Sequence, residues 1–317
     1  MSQNIVIVGA GLAGLLAASH FKDARVIDRM PGPTENHTAL LRFRSTAVAE
    51  LTGIPFKKVR VQKAVYSNDR VMSYASIRDQ NLYSLKVSGG VSARSIANLD
   101  ACERYIAPDD FYQQLVSKHQ ARISWGVEIG ASIKSDCAIV STAPMSVNLA
   151  ATGMESTFAV PFKFDKSSIQ VSRYKLAAPS DVYQTVYFPD PDLNIFRASI
   201  TGDNLIIEAL CDGNGANSSD LNLDDLNVAL YSFGLEVKDL DIASFSFNIQ
   251  NFGKMVDMPK ADREAIMFEL THAHNLFSLG RFATWRNILL DDVVSDIKTI
   301  DRLISASAYS RRLIALK

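Results

Sequence analysis

The 317-residue chain is 47% hydrophobic and 21% charged, the balance of a globular protein long enough for one large or two medium-sized domains. Its 33 basic and 34 acidic side chains leave a formal net charge of -1, so nucleic acid or an anionic membrane is not indicated as a partner. No apolar run reaches the roughly 18 residues of a membrane-spanning helix, and Cys102, Cys137 and Cys211 match no zinc or redox spacing. A cytoplasmic protein with reduced thiols and no metal is expected.

The first signal along the chain is Asn4-Ile5-Val6-Ile7-Val8, a β-branched apolar run that predicts a buried parallel strand. It leads into Gly9-Ala10-Gly11-Leu12-Ala13-Gly14 and a helical stretch from Leu15; a second strand, Arg25-Val26-Ile27, ends on Asp28 and is followed by Arg29. In a dinucleotide site each glycine has its own task. Gly9 permits the tight turn, Gly11 lets the backbone approach a pyrophosphate, and Gly14 allows the helix to pack closely on the strand. The helix N-terminus, with Leu12 and Ala13, meets the phosphate charge, and Asp28 is placed to accept a ribose hydroxyl.

The run Gly-Ala-Gly-Leu-Ala-Gly-Leu-Leu-Ala-Ala from Gly9 resembles the start of the FAD domain in the amine oxidase and UDP-galactopyranose mutase superfamily, which has a glutathione-reductase-type FAD domain. The resemblance implies an α/β fold: a Rossmann-type FAD-binding domain, discontinuous in sequence, with an inserted α+β substrate domain on an antiparallel sheet. The expected division is 1–45, 105–150 and 254–317 for FAD, and 46–104 and 151–253 for the substrate cap.

An NAD dehydrogenase looks similar over the first stretch, and later segments favour FAD. Ile123-Ser124-Trp125-Gly126-Val127-Glu128-Ile129 looks like the family's strand whose backbone contacts the adenine, with Val127 as the contact. A strand at 136–140 ends in Ser141-Thr142-Ala143-Pro144, similar to the family's crossover segment, and the resemblance puts Ala143 on the cofactor. The strand Asn275-Leu276-Phe277-Ser278-Leu279 opens into Gly280-Arg281-Phe282-Ala283-Thr284-Trp285-Arg286-Asn287-Ile288, with a helix expected at 291–303. This looks like the Gly-Arg segment with which such flavoproteins close over FAD. It implies close approach at Gly280, Arg281 near pyrophosphate and flavin, and contacts from Trp285, Asn287 and Ile288. The helix that follows would point its amides at the cofactor.

The family's Gly-Gly-Arg stretch after the acidic residue is missing. Arg42 and Arg44, in Leu41-Arg42-Phe43-Arg44-Ser45, either supply that positive charge or alternate as exposed arginines on a strand. His37 reads as a loop residue. Segments at 159–164, 182–188, 194–199 and 205–210 are β-like, and 220–233 is helical. They would form the cap, where Arg197 is an anion binder or a plain strand arginine. Lys63, Tyr187 and Trp285 complete the weak catalytic candidates. Gly89-Gly90 follows no apolar strand and Asp212-Gly213-Asn214-Gly215 sits in a polar turn, so no separate NAD(P)H domain is expected.

The resemblance implies an FAD-dependent oxidoreductase acting on the C–N bond of a small polar amine or an amine-bearing nucleotide. Electrons would pass to oxygen or another acceptor. Two alternatives stay open: a UDP-galactopyranose mutase-like enzyme using reduced FAD, and a non-catalytic FAD-binding module. The mutases' tyrosine-rich stretch after Gly-Arg is replaced here by Trp285-Arg286-Asn287, so their UDP-sugar site is not carried over. A small molecule is the expected partner, and oligomeric state is not encoded in any recognisable signal.

Overall fold

The computed structural model describes residues 4–33, 41–91, 95–132, 137–157, 162–211, 223–256 and 258–315. His37, Asp136 and the Gly213–Gly215 turn lie outside them.

Two sheets organise the chain. The first contains β1 (Ile5–Val8), β2 (Arg25–Asp28), β7 (Ile123–Trp125), β8 (Ala138–Ser141) and β14 (Leu276–Ser278), all parallel in the order β14-β8-β1-β2-β7. Strand alternation decides its packing. Ile7 points to one face, against α1 (Leu12–His20), α4 (Phe111–His119) and α8 (Leu290–Ala315). Val6 and Val8 point to the other, against α5 (Met145–Thr152) and α7 (Lys260–His274). A parallel sheet covered on both faces needs apolar residues at nearly every position, which is why β1 and β8 read as continuous hydrophobic runs.

The second sheet is mixed, in the order β13-β9-β12-β11-β10-β4-β6-β3 with β5 paired to β4. Its strands are β3 (Arg42–Phe43), β4 (Lys57–Ser67), β5 (Arg70–Met72), β6 (Cys102–Ile106), β9 (Lys166–Leu176), β10 (Tyr183–Tyr187), β11 (Ile195–Thr201), β12 (Asn204–Leu210) and β13 (Leu240–Met255). All its pairings are antiparallel except β10 with β4. One face packs on α6 (Leu223–Ser232) and the other on α3 (Ile77–Ser88). A capping box between Ser76 and Asp79 starts α3, and Gly89, with φ at +73°, ends it.

The expected strand at 159–164 is not formed over Phe162 to Phe164, and pairing begins at Lys166 instead. The whole of β9, β13 and α7 goes beyond the predicted elements. Of these, β13 and α7 lead the chain from the second sheet back to β14 of the parallel sheet.

One buried polar cluster fixes α1 to α4. His119 is 3% exposed. Its Nδ1 accepts from Arg122 (2.7 Å) and its Nε2 meets the Ser19 hydroxyl (2.9 Å), which also donates to the Leu15 carbonyl. That pattern assigns a neutral ring protonated on Nε2. Burial, then the charges of Arg122 and Lys118, lower His119 from 6.5 to about 4. Because the folded value lies below the unfolded one, the unfolded chain takes up the extra proton. Stability is complete above pH 6.5 and is lost as pH falls towards 4. Urea denaturation across this window is expected to show a slope of at most about 1.4 kcal/mol per pH unit from this group. A His119→Gln variant should flatten it, and an unchanged slope would remove His119 from the account.

Candidate functional site

The site grows from the turn between β1 and α1. Gly9 has φ at +98° and its amide donates to the Ile27 carbonyl (2.8 Å). A Cβ here would collide with the Thr142 hydroxyl, and one at Gly14 would collide with the Gly9 carbonyl oxygen. These two glycines therefore hold the turn closed. Gly11 differs: a Cβ added there would meet nothing within 4 Å, because it faces a cavity. Gly11 is also the N-cap of α1, and no side chain caps that helix. Its first amides are thus available to an anion.

Asp28 braces the same turn. Its carboxylate accepts from the amides of Ala10 (2.6 Å) and Met30 (2.8 Å), leaving further lone pairs on both oxygens. Arg29, next to it, is exposed. At the end of β8, Thr142 donates to the Val8 carbonyl (2.8 Å), and Ser141 donates to the buried Asn148 (2.7 Å). Small hydroxyl side chains thereby tie the strand end to its neighbours, which explains the Ser-Thr-Ala-Pro sequence. Val127 and Ala143 are part-buried on the core beside Ile27.

The cavity measures about 520 Å³, within the usual span of small-molecule and cofactor sites (roughly 300–1,000 Å³). One wall belongs to the parallel sheet and includes Gly11, Leu12, Ala13, Thr142, Gly280 and Arg281. Gly280 has φ at +85°, and a Cβ on it would stand 3.0 Å from that of Ala13. Asn287 and Ile288 also line this side. The opposite wall comes from the second sheet: Ile169 and Val171 of β9, Arg197, Glu208, and Gln250 and Lys254 of β13. Arg281 joins the walls by donating to the Gly253 carbonyl (2.9 Å).

Arg197 and Glu208 form a two-pronged ion pair from adjacent strands, one contact through Nε and one through Nη2 at 2.6 Å. Burial opposes the charge on Arg197, but the Glu208 carboxylate outweighs it and raises the guanidinium above its ordinary value. Lys254 sits with Nζ 3.8 Å from the centroid of the Phe196 ring, at cation–π distance. Arg42 reaches from β3 into the second sheet. It donates to the hydroxyls of Thr185 (2.6 Å) and Thr201 and to the Ile200 carbonyl (2.7 Å).

Of the expected site residues, Asp28, Arg29, Val127 and Ala143 lie outside the cavity lining, and so do Trp285, Arg44, Lys63 and Tyr187. Trp285 is 1% exposed and belongs to the core: its indole donates to the Val256 carbonyl (3.0 Å) and packs edge-on against Phe164. Arg44 is outside the cavity lining and pairs with Asp292, while its backbone amide donates to Asp291. Lys63 donates to the Asn98 carbonyl (3.3 Å), and Tyr187 packs edge-on against Tyr83, 5.3 Å between centroids; neither lines the cavity. The start of α8 also borders the cavity, through Leu289, Leu290, Asp291 and Val293. There the Asp292 carboxylate accepts from the Leu289 amide (2.9 Å), and Asp291 accepts from Arg44 and Ser45.

Glu208 and Lys254 line the cavity although no motif singled them out, and in the Ser-Thr-Ala-Pro segment it is Thr142, not the expected Ala143, that lines it. For β13 the signal was present, as the alternation Phe245, Phe247, Ile249 marks a strand. Among the described residues, no group of three or more His, Cys, Asp or Glu could hold a metal ion, and no helix is long and apolar enough to cross a membrane.

A doubly covered parallel sheet ordered β7-β2-β1-β8-β14, a glycine turn after β1 and a facing mixed sheet make up an α/β architecture compatible with a Rossmann-type FAD-binding fold. Solved structures agree on that fold. A reduced UDP-galactopyranose mutase matches with a TM-score of 0.71 at 15% identity, over 96% of this chain and 94% of its own. A CLA-producing fatty acid isomerase from P. acnes gives 0.59 at 12% identity, covering 95% and 98%. An oxidoreductase from Methanosarcina mazei gives 0.57 at 11% identity, covering 94% and 100%. No protein-family model matches the chain, and no curated protein sequence matches it.

Proposed function

We propose that this protein is an FAD-dependent oxidoreductase whose cofactor lies along the wall formed by Gly11, Thr142, Gly280 and Arg281. The observation that carries this reading is the open, uncapped N-terminus of α1 facing the cavity at Gly11, a position kept clear of side chains. In this reading Gly11, Leu12 and Ala13 cradle the diphosphate with their amides. Asp28 accepts a ribose hydroxyl with its remaining lone pairs, and Val127 and Ala143 flank the adenine. Arg281, Asn287 and Ile288 lie towards the flavin. The bound cofactor supplies two-electron chemistry; the protein positions the substrate, sets the local charge and excludes water.

The same proposal divides the chain into an FAD unit (1–45, 105–150 and 254–317) and a cap (46–104 and 151–253). The two sheets support it, although β3 and β6 hydrogen-bond into the cap sheet and stitch the units together. For the reaction, oxidation of a C–N bond rests on the sequence resemblance. The cations around the cavity favour amines that also carry an acid, such as amino acids or amine-bearing nucleotides.

A mutase-like reaction is a second reading, favoured by the overall likeness to the mutase structure. It gains no support from the segment after Arg281, where Trp285 is in the core and Arg286 is paired with Asp296. Anaerobic titration with amines, amino acids and UDP-sugars tests the two. Bleaching of the flavin band by an amine or amino acid, restored by air, is the expected outcome. Turnover of a UDP-sugar only after chemical reduction would favour the mutase reading instead.

A further inference from the structure

A second cavity of about 350 Å³ adjoins the first. Leu41 lines both, and Arg42, which borders the first, donates to the hydroxyl of Thr201, which borders the second. One face of the second sheet floors the two together. Val171 and Arg173 stand two residues apart on β9, as Glu208 and Ile206 do on β12, so each pair points to the same side. Val171 and Glu208 line the first cavity, Arg173 and Ile206 the second.

Arg173 is the informative residue. Unlike Arg42, whose Nη atoms are bonded to Thr185, Thr201 and the Ile200 carbonyl, it makes no hydrogen bond through either Nη among the described residues. Its Nε is buried without an acceptor, and its side chain is 24% exposed. The nearest carboxylate, Asp109, stands 4.0 Å from Nη1, beyond hydrogen-bond reach, with its own side chain 81% exposed. The other charged residues of this cavity are engaged elsewhere. Lys57 pairs with Asp181 (2.7 Å), and Asp203 accepts from the Ser180 amide (2.6 Å). A guanidinium carries five donors in a planar fork, and leaving them unused in a mostly buried side chain is unfavourable. Asn204, diagonal to Arg173 on the same face, adds a side-chain amide, while Pro55, Ile106 and Pro108 give the lining apolar surface.

We infer that the second cavity is a substrate subsite, in which Arg173 binds an oxyanion, a carboxylate or a phosphate, at the far end of an elongated substrate. This rests on the flavin-site reading, which puts the reacting carbon in the first cavity. Asp109 holds the guanidinium loosely and, being exposed, turns to water when the anion arrives. The fork of Arg173 then meets two oxygens at once. A tail anchored there orients the reacting end, so binding energy from a remote group serves the reaction.

The test is calorimetric titration of the purified, flavin-bearing protein with hexanoate, inorganic phosphate and neutral hexanamide, at constant ionic strength set by chloride. Saturable binding of hexanoate or phosphate is expected, with hexanamide at least about tenfold weaker; the anion that binds identifies the group. Arg173→Met should weaken binding by a similar factor, and Arg173→Lys should recover part of the loss. Asp109→Asn should tighten binding, because a competing carboxylate is removed, and it carries the test if the Arg173 variants fail to fold. Decanoate, long enough to pass Leu41 into the first cavity, should bind more tightly than hexanoate and shift the visible flavin band. No anion binding, equal binding of hexanamide, unchanged binding in Arg173→Met or weaker binding in Asp109→Asn each overturns the proposal. A flavin band that decanoate leaves unmoved overturns the joining of the two cavities. Flavin released by hexanoate does so as well, because the anion would then occupy the cofactor's own cavity. A parent protein that binds the anion through Arg173 but holds no FAD defeats the flavin-site reading alone.

Discussion

A Gly11→Val variant is expected to fold with a melting temperature close to the parent's and to bind FAD at least 100-fold more weakly. Gly11 has φ at -74°, a conformation open to any residue, and empty space where its Cβ would stand. The helix loses at most about 1 kcal/mol from the poorer N-cap. The added side chain occupies the space where a diphosphate must approach the amides, and a 100-fold loss corresponds to about 2.7 kcal/mol of binding energy. Gly14→Val should behave differently. Its Cβ would be driven into the Gly9 carbonyl, backbone against side chain, with no flexible group to give way. Overpacking of this kind costs roughly 1–3 kcal/mol or more, so both melting temperature and FAD binding should fall. Thermal denaturation together with the flavin-to-protein absorbance ratio separates the two cases. Equal behaviour of the two variants would show that the glycines are not divided between cofactor and packing.

Glu208→Ala is expected to be the most destabilising single change in the cavity wall. Removing one partner of a buried ion pair leaves the other charge uncompensated, at about 3–5 kcal/mol. Arg197 also borders the cavity, its side chain 26% exposed against 10% for Glu208, so the lower end of that range is expected. Replacing both partners with apolar residues, Arg197→Met with Glu208→Leu, should recover most of the stability and leave the cavity's net charge unchanged. Urea denaturation measures the difference as a shift in midpoint at constant slope. If the single variant is as stable as the double, the pair is solvent-screened and its place in the wall is energetically idle.

The parts of the fold legible in the sequence are those where chemistry leaves little freedom. Strands β1 and β8 must be apolar on both faces, Gly9 and Gly14 have no room for a Cβ, and Asp28 has to accept two turn amides. Each of those requirements writes itself into residue types at fixed spacing. The opposite wall is not written that way. Lys254 enters the cavity from a strand with register shifts between Gln250 and Lys254, and no periodic pattern announces which side of an irregular strand faces a ligand. Within the segment after Gly280, Trp285 alone of the expected contacts lies away from the cavity, for a related reason. A tryptophan near a Gly-Arg turn is equally able to stack on a ring system or to fill a core. Trp285, with φ at +47°, fills the core, where Phe164 and the Val256 carbonyl receive it. Arg44 and Lys63 could only be placed once their partners, Asp292 and Asn98, were brought near by tertiary structure.

The most direct test of the central claim is the flavin content of the purified protein, read from its visible spectrum after reconstitution with FAD and removal of the excess. About one flavin per chain is expected, released as intact FAD on denaturation. A protein that stays colourless while remaining folded would contradict it. The open N-terminus of α1 would then have to be explained by a different anion.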